Sequence, residues 1–482
     1  MVFTSHLFLF WFLPFVLVVY YSLAQRWRNG WLTLTSYLFY GWANPLFVLL
    51  MLLSTCVDYV CGLALMGFPP RGTTPPLLEP GGKRSRVQRW AVAVSVVSNL
   101  ALLSFFKYAD FGIGNWNRLA ALFPGGDAWL LPPLHIVLPL GISFYTFQSM
   151  SYTIDVYRGD ARGIRSFLDF ACYVSMFPQL VAGPIVRFRE VALQLRSRLH
   201  TLERFARGIA FFVVGAAQKL LLANPAGMVA DWAFDTPGRL PIDGWYGLLA
   251  YSFQIFFDFA GYSNMAIGLG LMLGFVFPRN FDVPYRSLSV TEFWRRWHIS
   301  LSSWLRDYLY IPLGGNRKGT VRTYVNLMLV MFLGGLWHGA SWTFILWGTI
   351  HGSFLALERW TKGWTREHLP RFVQWGYTYL VVLIAWVFFR SPSLSEAVSY
   401  LLSLVGAHPA SSTAPLIRSA IYTPYHLLSL LVGAFVIAFA PSAYVWTREM
   451  TTGKWMTIAL LFALSIMALT TQSYNPFIYF IF

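Results

Sequence analysis

The chain has 482 residues, of which 56% are hydrophobic and only 12% are charged. This composition excludes an ordinary soluble globular protein and predicts a polytopic membrane protein. The net charge of +16 would suit a nucleic-acid-binding protein, but in a membrane chain the positions of Lys and Arg report topology, so we expect no nucleic-acid partner.

Roughly ten apolar segments are long enough to cross a membrane, alone or as broken pairs. Between two of them, segment 167–185 carries Pro178 and Pro184, which is typical of a re-entrant element rather than a spanning helix. The predicted fold class is therefore all-α, with residues 1–482 forming a single membrane-embedded domain. The apolar segments are 7–24, 31–40 with 45–66, 90–106, 136–154, 209–222, 245–277, 324–332, 342–357, 372–389, 427–446 and 455–470.

Lys and Arg are concentrated in a few segments between the apolar ones. The positive-inside rule places such segments on the cytoplasmic side. The amino terminus, the carboxyl terminus and the linkers 109–135, 226–244 and 391–424 are then predicted to lie outside. The basic segments are 25–30, 67–89, 157–208, 278–322, 359–371 and 447–454.

The segment from 291 to 308 reads as one amphipathic helix. At helical spacing its aromatic and aliphatic residues share a face with His298, whereas its arginines lie off that face. Such a helix, aromatic on one side and basic on the other, is typical of the membrane interface. We therefore expect His298 to point with the aromatic side chains.

A second histidine, His338, lies midway along an almost uncharged segment of about 35 residues, in which Gly334 and Gly335 are expected to break or loosen the helix. An ionisable residue at that depth is a functional hypothesis by default. Two interpretations stay open. His338 either holds neighbouring helices together by a hydrogen bond, or acts as a general base on a hydroxyl group.

Several enzyme classes are excluded by their missing motifs: the chain has no Walker P-loop, no G-x-S-x-G elbow and no H-E-x-x-H. His338 and His351 are thirteen residues apart, which would place them on opposite faces of a continuous helix, so we expect no metal site. Asp258 and Lys219 are either functional or bridge helices, and we favour a bridging contact for Lys219.

Three sequence blocks closely resemble the signatures of the membrane-bound O-acyltransferase family: WRRWHISL at 294–301, WLRDYLYIPLGGNR at 304–317 and GGLWHG at 334–339. The resemblance extends to the bacterial alginate O-acetylation branch of that family and covers most of residues 1–390, with a signature core at about 140–360. The blocks similar to that branch are MVF at 1–3, LGISFYTFQSMSYTIDVYRGD at 140–160, FPQLVAGPIVRFR at 177–189 and FDFAGYSNMAIGLGLMLG at 257–274.

The resemblance implies roles for particular residues. His338 matches the histidine regarded as catalytic, and His298 matches a second signature position that varies among His, Asn and Asp. Asn264 stands where the family pattern has Asp, so an ionised role at that position is in doubt. The family also implies a helical body, with re-entrant and interfacial helices around a central tunnel that joins a cytoplasmic acyl-CoA entrance to an acceptor on the far side.

The function expected from this resemblance is O-acetylation of an exported polysaccharide at the bacterial inner membrane, with acetyl-CoA as cytoplasmic donor and no permanently bound cofactor. Alginate is the first acceptor to consider; cellulose, another exopolysaccharide or, with a different acyl group, teichoic acid are alternatives. A function from another class is a polysaccharide transporter or export pore, which would carry several ionisable groups along a path.

We assign the general base to His338 and a supporting polar role to His298. Fixed positive charge on the cytoplasmic side could bind the phosphates of coenzyme A. Because the outer linkers are short and contain no serine-nucleophile elbow, we also expect an exported acetyltransferase partner to carry or finish the transfer. The residues predicted to bind the donor are Arg295, Arg296, Arg306, Arg317 and Lys318.

Overall fold

The computed structural model describes residues 1–42, 44–70, 73–361, 368–407 and 414–476. Within these ranges the chain is helical and contains no β-strand, which confirms the predicted all-α class. The chain divides into two compact units, one formed by residues 1–201 with 273–277 and the other by 202–272 with 278–482.

The first unit contains eight α-helices among the described residues. A fully buried carboxylate, Asp58, accepts hydrogen bonds from the Asn99 amide at 2.9 and 2.8 Å and from the Ser95 hydroxyl at 2.6 Å. These contacts join the third and fourth helices through polar groups satisfied inside the protein. The helices are α1 Leu13–Ser22, α2 Gln25–Gly41, α3 Leu46–Leu65, α4 Arg86–Ala120, α5 Ile142–Arg158, α6 Phe167–Ser175, α7 Phe177–Leu180 and α8 Phe188–Arg196.

Segment 167–185 forms the two short helices α6 and α7, which are separated at Met176. Its residues from Phe170 to Ile185 are buried within the first unit. The interruption agrees with the expectation that this segment is not a spanning helix, since Pro178 at the start of α7 lacks the amide hydrogen that a continuous helix needs. A re-entrant path stays a prediction.

The second unit contains the central stretch identified in the sequence, and its aromatic core includes Trp297, Trp347 and Trp386. Its helices are α9 Leu202–Ala217, α10 Asn224–Asp235, α11 Pro241–Met272, α12 Val290–Arg296, α13 Ile299–Leu305, α14 Thr320–His338, α15 Trp342–Trp360, α16 Arg371–Arg390, α17 Leu394–Leu404, α18 Ala414–Ile421, α19 Pro424–Phe439, α20 Ala443–Trp446 and α21 Thr452–Thr471.

Seven helices in the described ranges are long and apolar enough to cross a membrane, or eight if α18 and α19, which meet at 60°, form one broken span. The predicted number of roughly ten therefore stays a prediction. Three of the apolar segments, 7–24, 136–154 and 342–357, form helices that are not among these spans. The spans are Leu46–Leu65, Arg86–Ala120, Leu202–Asp235, Pro241–Met272, Thr320–His338, Arg371–Arg390 and Thr452–Thr471.

Helices α14 and α15 touch backbone to backbone. A Cβ atom at Gly335 would lie 2.3 Å from the carbonyl oxygen of Phe344, and one at Gly348 would lie 2.3 Å from that of Met331. Gly334 and Gly335, which were expected to break or loosen the helix, do not break it, because α14 continues through both to His338. Small residues here serve close helix packing, as they often do in membranes.

This packing predicts that Gly335→Ala destabilises the protein. The added methyl group would meet a backbone oxygen that cannot rotate away, and such overpacking costs about 1–3 kcal/mol. The unfolding midpoint in detergent should fall clearly. Gly376→Ala in α16 is the matched control, since its Cβ meets nothing within 4 Å. Equal midpoints for the two variants would contradict the close contact.

Candidate active site

The predicted continuous helix from 291 to 308 is wrong, because the chain breaks at His298. Helix α12 ends at Arg296, α13 begins at Ile299, and His298 between them has a left-handed φ of 42°. A residue with a side chain rarely adopts that conformation. Here it lets the Ile299 amide donate to the backbone oxygen of Asn280 at 2.8 Å.

The side chain of Asn280 also determines which ring nitrogen of His298 carries the proton. The Asn280 amide nitrogen donates to the Ser263 hydroxyl at 2.8 Å, so its oxygen faces His298 Nδ1 at 3.1 Å and the Ser300 hydroxyl at 2.8 Å. Because that oxygen can only accept, Nδ1 of His298 must donate. The lone pair is then on Nε2, which is buried and has no hydrogen-bond partner among the described residues.

His298 is fully buried and surrounded by aromatic rings, as the sequence predicted. Its ring meets the edge of Phe259 with 4.6 Å between centroids and lies 6.1 Å from Trp337. Burial lowers the pKa of His298 to about 3, because an apolar environment disfavours the imidazolium. The imidazole is therefore neutral at physiological pH.

His338, midway along the uncharged segment, is the last residue of α14. Helix α15 starts at Trp342, capped by the Ser341 hydroxyl. His338 is 6% exposed, and its ring packs against Trp347 and Phe389 with centroids 5.0 and 5.2 Å apart. The side chain thus lies at a helix end, at a turn in the chain, with one part open to a cleft.

That cleft, called here the His338 cleft, has a volume of about 350 Å³. Helix α14 lines it with Leu327, Val330, Met331, Gly334 and His338, a spacing that places all five on one face. From Leu327 to His338 this face runs about 16 Å along the helix. The other lining residues are Thr291, Trp294, Arg295, Leu301, Ser302, Leu305, Arg306, Tyr310, Asn316, Trp347, Leu355 and Arg359.

Three arginines, Arg295, Arg306 and Arg359, are exposed and line the His338 cleft, whose other walls are largely apolar. Arg306 forms an ion pair with Asp307 at 2.7 Å. Arg295 and Arg359 form no ion pair with any residue that the structure describes. The cleft therefore joins an apolar interior to two cations that no described acidic residue compensates.

The structure divides the five cations that the sequence predicted for donor binding. Arg295 and Arg306 line the cleft. Arg296 instead pairs with Glu292 at 2.9 Å and donates to the backbone oxygen of Asp282. Arg317 and Lys318 are exposed on the turn after Asn316 and do not line the cleft.

Sequence reasoning missed Arg359, although it begins the basic segment 359–371, and it missed two tryptophans. The indole N–H groups of Trp294 and Trp347 are buried and have no acceptor among the described residues, while both side chains line the His338 cleft. Buried donors normally find an acceptor. A ligand with carbonyl oxygens could supply it.

The two signature histidines do not lie in one pocket. Trp337 separates them, with its ring centroid 6.1 Å from that of His298 and 4.9 Å from that of His338.

His351, the third histidine considered in the sequence, stacks on Phe293 with an interplanar angle of 5°. Among the described residues no group of three or more His, Cys, Asp or Glu side chains could hold a metal ion.

The other polar residues considered in the sequence bridge neighbouring elements. Lys219 forms a buried ion pair with Asp258 at 2.7 Å, which is the helix-bridging contact favoured for this lysine. The Asn264 amide donates to the Gln218 side-chain oxygen at 2.8 Å. A neutral amide therefore makes a second bridge six residues further along α11.

The model of the membrane-bound O-acyltransferase family matches residues 159–402, which include the His338 cleft and His298. The chain belongs to this family. It is therefore an O-acyltransferase and a multi-pass membrane protein.

Curated relatives extend this similarity. A protein of Pseudomonas putida named probable alginate O-acetylase AlgI is 43% identical over the full length of both chains. A peptidoglycan O-acetyltransferase of Helicobacter pylori is 35% identical over 85% of this chain and 81% of its own. A teichoic acid D-alanyltransferase of Bacillus subtilis is 26% identical over 49% of this chain and 63% of its own.

The buried neutral imidazole predicts how stability depends on pH. The ordinary pKa of 6.5 applies to His298 in the unfolded chain, whereas the folded value is about 3. Below pH 6.5 His298 takes up a proton in the unfolded state but not in the folded state. The free energy of unfolding therefore decreases as the pH is lowered. Between pH 7 and pH 5 this one group should cost about 2 kcal/mol.

The measurement compares unfolding midpoints in detergent at pH 7 and pH 5 for the native protein and for His298→Gln, which cannot titrate. The native midpoint should drop more on acidification than that of the variant. Equal drops would show that His298 is not held neutral in the folded protein. The test compares, for each protein, the change in unfolding midpoint between pH 7 and pH 5. A lower overall stability of the variant therefore does not affect the result.

Proposed function

We propose that this protein takes acetyl from acetyl-CoA on the cytoplasmic side of the bacterial inner membrane and transfers it for O-acetylation of an exported polysaccharide, alginate in the first instance. The observation that carries this proposal is the His338 cleft. It has exposed arginines and a buried histidine in its lining, and the walls between them are largely apolar. Acetyl-CoA has the same order of parts: phosphates, a long neutral arm and a small reactive thioester.

The donor fits the cleft in one direction. Its phosphates would lie against Arg295 and Arg359, whose charges are uncompensated by the described residues, since guanidinium groups bind phosphate oxygens well. Its neutral arm would follow the face of α14 toward His338, and the thioester would come to lie beside the imidazole. Holding both reactants in one geometry is a large part of the catalysis of acyl transfer.

His338 then acts as a general base. It accepts the proton of the attacking hydroxyl as the oxygen bonds to the thioester carbon, and a tetrahedral oxyanion forms. The Trp347 indole, whose ring is 5.0 Å from that of His338, has a buried N–H that could donate to this oxyanion. Collapse of the intermediate breaks the carbon–sulfur bond, and the coenzyme A thiolate leaves with the proton from His338.

The supporting role of His298 acts through packing. Its neutral ring, oriented by Asn280 at 3.1 Å, lies against Trp337, which in turn lies against His338. His298 does not line the cleft. We therefore treat it as a positioning residue that holds Trp337, and through it the catalytic imidazole, in place.

Two features support a cytoplasmic entrance. The positive-inside rule assigns the basic segments 278–322 and 359–371 to that side, and the cleft arginines come from these segments. Helix α14 starts directly after the basic turn, at Thr320, and reaches His338 about 27 Å further along. The reaction would then take place near the opposite side, with both chain termini also outside.

The acceptor is proposed from the relatives. This chain is similar to alginate O-acetylases over the full length of both chains. Its similarity to the teichoic acid enzyme covers only about half of this chain. The proposal includes an exported acetyltransferase partner that continues the modification of the long polymer. Its docking surface would be the linkers 109–135, 226–244 and 391–424.

The first test of this proposal is His338→Ala. The variant should insert and fold, with an unchanged elution profile in detergent, but lose at least about a hundredfold in transfer rate, because the hydroxyl is no longer deprotonated. The assay follows radiolabelled acetyl from acetyl-CoA to alginate in vesicles that contain the protein and its exported partner.

His298→Ala is the companion variant and should lose less activity than His338→Ala, because His298 lies outside the cleft. Normal transfer by a well-folded His338→Ala protein would rule out the base assignment. Complete losses of equal size at both positions would instead mean that His298 takes part directly in the reaction.

The second test concerns the donor phosphates. Replacing Arg295 and Arg359 together with Gln should raise KM for acetyl-CoA about tenfold, since each exposed ion pair is worth up to about 1 kcal/mol. The value of kcat should change little, because these contacts are the same in the ground state and the transition state.

The matched control replaces Arg317 and Lys318 with Gln, which removes the same charge from a turn outside the cleft lining. We expect KM to rise less than about threefold in this control, through the weaker long-range field alone. If the control raises KM as much as the cleft variant does, Arg317 and Lys318 also bind the donor, as the sequence predicted for all five cations, and the position assigned to the phosphates is wrong.

A further inference from the structure

A second cavity of about 270 Å³ lies in the same unit, where the loop between α10 and α11 meets the end of α16 and the start of α17. We call it the Arg239 cavity. Unlike the His338 cleft it is lined by charges of both signs, Arg239, Arg390, Asp235 and Glu396, and by the hydroxyl-bearing Ser399. No step of the proposed reaction uses these residues.

Arg239 is 8% exposed, and the acceptors of its hydrogen bonds are all neutral. Its Nη2 donates to the backbone oxygens of Phe234 and Thr236 at 3.1 and 3.0 Å, and its Nη1 to the Ser403 hydroxyl at 3.4 Å. Its guanidinium lies 4.5 Å from the ring centre of Tyr400. The Nε–H is buried and has no acceptor among the described residues.

An arginine this buried, with one donor left over, is costly unless something completes its hydrogen bonds. Burial lowers the pKa of Arg239 from its ordinary value, in keeping with an incompletely compensated cation. Arg239 also lines the cavity. A ligand oxygen inside the cavity would satisfy the Nε–H.

The remaining walls indicate what kind of ligand carries that oxygen. Arg390 is already paired through Nη2 with Asp231 and Asp235, at 2.9 and 3.0 Å. Asp235 and Glu396 are exposed carboxylates, which can only accept hydrogen bonds and therefore need a ligand with O–H or N–H donors, which a phosphate dianion lacks. A wall that alternates donors and acceptors suits hydroxyl groups, each of which both donates and accepts.

The cavity is also close to the candidate catalytic residue. Phe389 packs on the His338 ring with centroids 5.2 Å apart, and the next residue, Arg390, lines the cavity. Both residues end α16, about 28 Å along the helix from Arg371 in the basic segment 359–371. The linkers 226–244 and 391–424, which supply most of the lining, are those predicted to lie outside.

We propose that the Arg239 cavity binds a sugar ring of the acceptor glycan, with Arg239 Nε and the carboxylates of Asp235 and Glu396 hydrogen-bonded to ring oxygens and hydroxyls. This inference rests on the proposed function, since it supplies the acceptor for the donor bound in the His338 cleft. It gives the chain its own contact with the polysaccharide, in addition to that of the exported partner.

The alternative is that Arg239 only holds its loop, through the carbonyl groups of Phe234 and Thr236. Two variants separate these roles. Arg239→Gln removes the free donor, whereas Ser399→Leu fills the cavity and leaves Arg239 and its loop contacts in place. Arg418→Gln is the matched control, because Arg418 is exposed in the same unit, pairs with Asp243 at 3.6 Å and does not line the cavity.

The experiment is calorimetric titration of the full-length protein in detergent with an alginate tetrasaccharide, and separately with acetyl-CoA. The native protein and Arg418→Gln should bind the tetrasaccharide equally, within about twofold, and both cavity variants should bind it at least about tenfold more weakly, as expected for lost hydrogen bonds to charged groups. Acetyl-CoA should bind all four proteins alike.

Absence of tetrasaccharide binding to the native protein would overturn the inference, and so would undiminished binding to Ser399→Leu. A loss seen in Arg239→Gln alone would also overturn it, because it would assign Arg239 to its loop. The proposed function is judged separately by acetyl-CoA. A native protein that binds the tetrasaccharide but not acetyl-CoA would contradict the proposed donor and leave the sugar site standing.

Discussion

The site depends on the backbone contact between α14 and α15, where Gly335 faces the Phe344 carbonyl and Gly348 faces that of Met331. A membrane supplies no hydrophobic force between helices, so close packing of small residues must hold such a pair together. The contact brings the end of α14 against α15, and His338 thereby meets Trp347. Without it the cleft would lose two of its walls.

The sequence predicted which residues belong to the candidate site better than it predicted where they lie in the fold. A histidine in an uncharged segment is readable because charge there is costly, and both signature histidines proved buried. The break at His298 could not be read, since helical periodicity assumes a continuous helix, and the hydrogen bonds that stabilise its left-handed backbone come from Asn280, eighteen residues away. Arg359 was missed because it reaches the cleft only through the packing of α15 against α12, and this tertiary contact cannot be read from the sequence.

The two histidines illustrate how environment separates residues of one type. His298 is enclosed by rings and held neutral, with its tautomer set by Asn280. His338 lines an opening that leads to exposed arginines. Phe389 packs on the His338 ring, and the next residue, Arg390, lines the Arg239 cavity with its mixed charges. On the proposed function, donor and acceptor would reach one imidazole from these two sites.

The most direct measurement is a structure of the protein with an acetyl-CoA analogue whose thioester sulfur is replaced so that acetyl cannot be transferred. The account predicts that the analogue occupies the His338 cleft, with its phosphates beside Arg295 and Arg359 and its carbonyl within about 3 Å of a hydrogen-bond donor next to the His338 ring. An analogue bound outside this cleft, or one with its phosphates at the His338 end, would contradict it.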